Sequence, residues 1–328
     1  MIIMDIHEVT LKRQIDFNNQ WPKIKSLELE SVKKFRQKLS DQMLEQVFIP
    51  MLWDERKTSA LFARNRAIAK IFSSTLDMYD VLPFSPDIAF DIIWRALEIS
   101  MKFMSQNSWG YTAKKCFEDV LCKTCADIIA PLANHEPCIK DLFESLIEKT
   151  SVVSLRYLVA RLYFRMDLSV SPQVEFVRKR ANEILGADVV EAIRNKYVGA
   201  DGKMDASNQR NAARLLLLIL RGKEVDIEGN VLKPLELEKR VELYVSCVIY
   251  SSRCERFHGD YYSPLKSSLA DLATYYEYYF LLIYTYFLWG IVMFKIQQLE
   301  GEHEALTVSA MCDSISKSLS NLAILPNK

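Results

Sequence analysis

Apolar positions recur along this chain at intervals of three and four residues, the period that lines one side of an α-helix. Val32, Phe35, Leu39, Met43 and Val47 make one such stripe, and Leu61, Ile68, Ile71 and Leu76 make a second. The run Leu82-Pro83-Phe84-Ser85-Pro86 interrupts them, because two prolines so close together stop a helix. Ser85 as cap and Pro86 in the first turn are suited to start the next one. Phe90, Ile93, Trp94, Leu97, Met101 and Met104 predict a long amphipathic helix, and Cys116, Phe117, Val120, Leu121, Ile128 and Ile129 another. The pattern continues helical from Ser151 to Leu168 and from Val174 to Lys196. Gly199 to Ser207 and Gly222 to Pro234 carry the Gly, Asp, Asn and Pro clusters of loops. Leu235 to Tyr250 reads as a helix with Leu237, Val241, Tyr244 and Val248 on one face. After a polar turn, Ser263 and Pro264 are expected to begin a helix of about thirty residues that ends near Gln298. No alternating pattern predicts a strand, and no internal repeat is evident.

Composition agrees with this picture. Half of the 328 residues are apolar, enough for a sizeable core, and 9 Gly and 10 Pro are few for the length. The expected fold class is all-α. Lys and Arg (42) balance Asp and Glu (42), so a polycation that coats nucleic acid indiscriminately is disfavoured and any RNA contact must be local. Seven Cys at irregular spacing, with no leader pattern, point to a reducing, cytoplasmic setting. Tyr278 to Phe294 contains no charged residue, and its length sits at the lower limit for a membrane span. Tyr278, Tyr279, Tyr284 and Tyr286 inside it, and flanks that are not strongly basic, favour a buried bundle helix over a membrane helix.

One constellation carries chemistry. The apolar helix of 235–250 runs into Ser251-Ser252-Arg253-Cys254-Glu255-Arg256-Phe257-His258-Gly259-Asp260, an Arg followed five positions later by a His, with a Gly to end the helix. Arg253 and His258 in this setting resemble the signature of the HEPN family (higher eukaryotes and prokaryotes nucleotide-binding), Arg-x4-His. Cys254 stands where the family more often has Asn, Asp or His, although an Arg-Cys start followed by Phe-His-Gly looks like one branch of it. Phe90 to Leu97 is similar to the tryptophan-bearing first helix of such domains, and Leu265 to Phe294 to the helix after the motif. The resemblance covers Phe84 to Gln298. It implies a HEPN-type helical bundle over 83–328, with a helical insertion around 105–222 and an N-terminal helical segment over 1–82 that it does not account for.

The resemblance further implies a homodimer with two motifs facing one cleft, an endoribonuclease leaving 2',3'-cyclic phosphate and 5'-OH ends, and a toxin or effector role in bacterial defence or stress systems, restrained or triggered by an inhibitory or sensor protein. The chemistry stands without the family. Attack of a 2'-OH on the adjacent phosphate needs a base, an acid for the leaving oxygen and fixed positive charge, and one His with one Arg supplies much of this without a cofactor or metal. His258 is expected as general acid or base and Arg253 as phosphate and transition-state stabiliser, with Arg256, Asp260 and Cys254 as supporting or RNA-contacting residues. Five residues separate Arg253 and His258 by about 140° on an ideal helix, so a helix end at Gly259 or a second subunit must bring them together. The competing reading is a non-catalytic module that binds RNA, a nucleotide or a partner protein, with Arg253 and His258 capping a helix end beside Glu255 or Asp260.

Other patterns are weaker. Cys122-x2-Cys125 with His135-x2-Cys138 has zinc-like spacing, yet the helical stripe runs through it without a turn, so no metal is expected. Asp201 to Asp205 lacks the later acids of a calcium loop and reads as a polar turn. Arg156, Arg161 and Arg165, and separately Arg210, Arg214, Arg221 and Lys223, read first as solvated helix faces and second as a phosphate-tracking surface. No Gly-rich phosphate loop or nucleophile elbow is present.

Overall fold

The computed structural model describes residues 15, 18–20, 29–108, 117–163, 171–227, 229–257, 264–266 and 269–327, with residues 230 and 255–257 as backbone. Helix makes up 76% and strand 2%, an all-α architecture. At its centre lies the helix Leu272–Leu299, whose residues from Tyr275 to Met293 are all buried. A helix apolar on every side has no preferred solvent face and must be surrounded. This is the one helix among the described residues long and apolar enough to cross a membrane, and it is enclosed by the bundle.

In chain order, the surrounding layer begins with α1 (Glu30–Asp41), α2 (Glu55–Arg64), α3 (Arg66–Ser73), α4 (Asp77–Val81) and α5 (Pro86–Ser108). α5 lies along the central helix, and its predicted stripe of Phe90, Ile93, Trp94, Leu97, Met101 and Met104 is fully buried. α6 (Phe117–Thr124) continues through a π-turn, Cys125–Ile129, into α7 (Ala130–His135). Then come α8 (Pro137–Lys149), α9 (Val152–Tyr163), α10 (Pro172–Leu185), α11 (Ala187–Tyr197), α12 (Ala206–Leu220), β1 (Val225–Ile227), β2 (Asn230–Leu232) and α13 (Leu237–Leu243). A second π-turn, Tyr244–Ile249, leads into α14 (Tyr250–Phe257); the central helix is α15 and Val308–Leu322 is α16.

The first expected stripe ends early. α1 stops at Asp41 and the chain reverses at Met43, which has φ 52° and is exposed, so Met43 and Val47 do not continue the helix. Val47, Phe48 and Met51 instead enter the core from a non-helical segment. Side chains of the bundle satisfy its backbone: Ile49 N–H donates to Ser318 Oγ (2.9 Å), Met51 N–H donates to the Tyr286 hydroxyl (3.1 Å), and Ser314 Oγ donates to the Ile49 carbonyl (2.6 Å). The second stripe is cut at Asn65, whose side chain accepts from the Ala67 N–H and so competes with helix continuation. Leu76 is exposed and Met78 takes the core position.

Three further expectations need correction. The 174–196 helix is split at Gly186, which adopts φ 90°, a left-handed value available to Gly at little cost. The 222–234 loop contains an antiparallel pair, Val225 opposite Leu232, with strands too short for alternation to register in a sequence reading. The central helix also starts later than Pro264, which opens only a three-residue 3₁₀ turn, Pro264–Lys266. Ser263 lies outside the described residues. Asp271 is the cap: its carboxylate accepts the Thr274 N–H (2.9 Å) while the Asp271 N–H donates to Thr274 Oγ1 (3.1 Å), a reciprocal capping box.

The tyrosines of α15 explain why so polar an aromatic is used in the core. Tyr275 and Tyr279 donate to the carbonyls of Phe84 and Pro83 at the start of α5, and Tyr276 donates to the Lys149 carbonyl at the end of α8. Each ring fills apolar space and each hydroxyl closes an orphan carbonyl. Glu277 is the buried charge-bearing exception, accepting from the hydroxyls of Ser151 and Ser154. Burial pushes its carboxyl above the ordinary range, against the pull of the two serines.

A carboxyl raised in the folded state relative to its ordinary value of 4.5 costs stability as pH rises above that value. Glu277→Gln is therefore expected to gain stability relative to wild type as pH rises above 4.5, measured as the pH dependence of the urea midpoint. Gly290 is the close-approach point of α15: a Cβ there would lie 2.6 Å from Met51 Cε and 3.3 Å from Met311 Sδ. Gly290→Val is expected to cost about 1–3 kcal/mol by overpacking, read from urea unfolding.

Candidate functional site

α14 carries the Arg-x4-His segment as far as it is described. Tyr250, Ser251, Ser252 and Cys254 are buried, which fixes the rotation of the helix and leaves Arg253 partly exposed. Tyr250 anchors the start of the turn: its hydroxyl donates to Glu118 Oε1 (2.6 Å) and its ring lies among Trp94, Phe117 and Phe176. His258 and Asp260 lie outside the described residues, and Arg256 is described as backbone in the last turn of α14.

Arg253 is held from α5. Its Nη2 lies 3.1 Å from Glu98 Oε1, with 20% and 16% of the two side chains exposed. The same carboxylate oxygen accepts the Trp94 indole N–H at 2.7 Å, one helical turn earlier on α5. Trp94 thus orients Glu98, and Glu98 fixes the guanidinium, so the charge at the end of α14 has a defined position rather than a solvated sweep. Glu98 is the residue the sequence reading missed. Its signal was the Trp94 to Glu98 spacing of four residues, which places both on one helix face beside the motif.

Cys254 lies within hydrogen-bond reach of the Arg253 side chain. It is 1% exposed, and burial pushes its thiol up while the Arg253 and Arg161 guanidiniums draw it back down. Its place is therefore in the packing of α14 against α9, the helix that carries Arg161. The Arg161 carbonyl in turn accepts Arg178 Nε of α10 (3.1 Å). Burial lowers the pKa of Arg178, as does its neighbour Arg194.

The remaining arginines divide. Arg156 is exposed, and Arg165 lies outside the described residues. Arg221 is a structural clamp, donating from Nη2 to the Glu148 carbonyl at 2.6 Å, while Arg210 and Arg214 face solvent on α12. The zinc-like spacing is not assembled. Cys125 is buried, burial pushes the Cys122 thiol up to about 11, His135 Nδ1 lies 2.6 Å from the Pro131 carbonyl, and Cys138 meets Cys312. Among the described residues no group of three or more His, Cys, Asp or Glu is placed to hold a metal. Asp201 accepts the Lys203 N–H in a polar turn, as expected.

No protein-family model matches the chain, and neither a curated protein nor a solved structure does.

The Arg253–Glu98 pair is open to direct measurement. In a double-mutant cycle of Arg253→Met and Glu98→Gln, which keeps an acceptor for Trp94, the coupling is expected to be about 1 kcal/mol by urea unfolding. Additive single effects would show that the pair contributes nothing to holding α14 on α5.

Proposed function

We propose that this chain is a metal-independent endoribonuclease of the HEPN class, working in the cytoplasm as a homodimer whose two motifs share a cleft. The observation that carries this reading is the Arg253 guanidinium, held by Glu98 and Trp94 at the end of the helix that leads into His258. A fixed, partly exposed cation five positions before a His supplies much of what transesterification of RNA needs. Arg253 grips the oxygens of the scissile phosphate, exchanging its carboxylate partner for phosphate, and lowers the cost of the additional charge in the transition state. His258 takes the 2'-OH proton or supplies one to the departing 5' oxygen, and its counterpart in the second subunit performs the other step. The products are 2',3'-cyclic phosphate and 5'-OH ends. Arg161 and Arg256 supply further phosphate contacts, and by the same resemblance the enzyme acts as a toxin or effector of a bacterial defence or stress system.

The ion pair also favours a second reading. Arg253 and Glu98 are each mostly buried, and a clamp between α14 and α5 is what a non-catalytic bundle that binds RNA, a nucleotide or a partner protein would retain.

Cleavage of mixed cellular RNA in the presence of a chelator separates the two. The wild-type protein is expected to cut and leave cyclic phosphate ends, and His258→Ala and Arg253→Ala are each expected to lose about 100-fold or more. Activity that survives His258→Ala overturns the assignment. Absence of cleavage by folded, dimeric wild type points to the binding class or to an enzyme that awaits its activator.

A further inference from the structure

Cys138 stands in the first turn of α8 and Cys312 in the second turn of α16, separated by 174 positions in sequence, yet their sulfurs are 2.6 Å apart. That is well inside the ordinary contact of two thiols and about half an ångström from a covalent bond. Cys138 is exposed and Cys312 half-buried, whereas Cys125, Cys247 and Cys254 are buried. Among the described cysteines, this pair alone joins an open thiol to a second sulfur within reach.

We propose that Cys138 and Cys312 are a redox modification site, at which a low-molecular-weight disulfide oxidises the two thiols to an intrachain disulfide fastening α16 to α8. Cys138, being exposed, attacks first. Its thiolate forms a bond to one sulfur of the small disulfide, and the S–S bond of that molecule breaks to release one thiol. Cys312 then displaces the second small thiol from Cys138, so two cysteines are oxidised, one disulfide is reduced to two thiols, and the two cysteine protons leave on those thiols. The roles follow from exposure and surroundings. Burial pushes the Cys312 thiol up, and the adjacent Cys138 and the carboxylates of Asp313 and Asp141 push it further, which keeps it protonated until Cys138 has reacted. Once Cys138 is in the mixed disulfide, its share of that opposition disappears.

The link falls on a helix that holds more than itself. α16 packs on α8 and α15, and its Ser314 and Ser318 hydroxyls hold the backbone of Ile49 in the segment between α1 and α2. Oxidation would thus staple the closing helix and the extended segment beneath it to the bundle.

The test treats the folded full-length protein with oxidised glutathione, blocks the remaining thiols with an alkylating agent, and maps linked peptides by mass spectrometry. The expected result is a Cys138–Cys312 link with loss of about 2 Da from the intact mass, reversed by dithiothreitol, and a rise in Tm on the order of 5 °C. Cys138→Ser and Cys312→Ser should each lack the link. Free, alkylatable Cys138 and Cys312 after exposure of the native protein to oxidant would overturn the proposal. So would the same mass loss in Cys138→Ser. If a serine variant does not fold, wild type alone decides: a single Cys138–Cys312 link formed in native protein, against a mixture of pairings formed in denaturant, supports the site, and a mixture in both overturns it.

Discussion

A helix buried around its whole circumference imposes its requirements on everything near it. From Tyr275 to Met293 the helix has no side that water can take, so α5, α8, α16 and the segment carrying Val47, Phe48 and Met51 are its solvent. Tyr275, Tyr276, Tyr279 and Tyr286 extend the requirement from apolar area to polar geometry, because their hydroxyls meet carbonyls and an N–H at the boundaries of neighbouring elements. Those boundaries cannot drift without leaving a buried polar group unpaired, which costs more than a bond gains. The same bonds distinguish this helix from one that faces lipid, where no neighbour would supply so many partners.

The candidate site sits at the margin of this enclosed core. α5 contributes to both: Phe90, Ile93, Leu97, Met101 and Met104 are buried in the core, while Trp94 and Glu98 reach toward α14. One helix thereby couples the packing of the bundle to the position of a single guanidinium. Rigid support of this kind separates a placed charge from an ordinary surface arginine, whose exposed ion pairs contribute little.

How much of this was legible in the sequence depended on the range of the interaction concerned. Helical class, the buried face of α5 and the enclosed nature of the tyrosine-rich helix follow from periodicity and composition, which are local properties. The end of α1 at Asp41, the cut at Asn65 and the start of α15 at Asp271 do not, because in each case a particular side chain or backbone conformation overrode a stripe that continued on paper. The site was legible in its motif and not in its support: Arg253 announces itself five residues before His258, whereas Glu98 lies more than one hundred and fifty positions earlier and is recognisable only through its bond to Trp94. Cys254, read as a supporting or RNA-contacting position, is buried in the packing of α14.

The π-turn over Tyr244–Ile249 lies just upstream of α14. A π-turn accommodates one residue more than the α-helix it interrupts, which advances the phase of everything downstream by about 100°. The stripe of Leu237, Val241, Tyr244 and Val248 consequently does not extrapolate to the face on which Arg253 is found. Which way Arg253 points is thus written in a length, not in the motif. A single-residue deletion in that turn would swing α14 about its axis and part Arg253 from Glu98 while every motif residue stayed the same. Comparison of such proteins by their motif letters alone would pass over the change, and a count of residues between Leu237 and Arg253 would detect it.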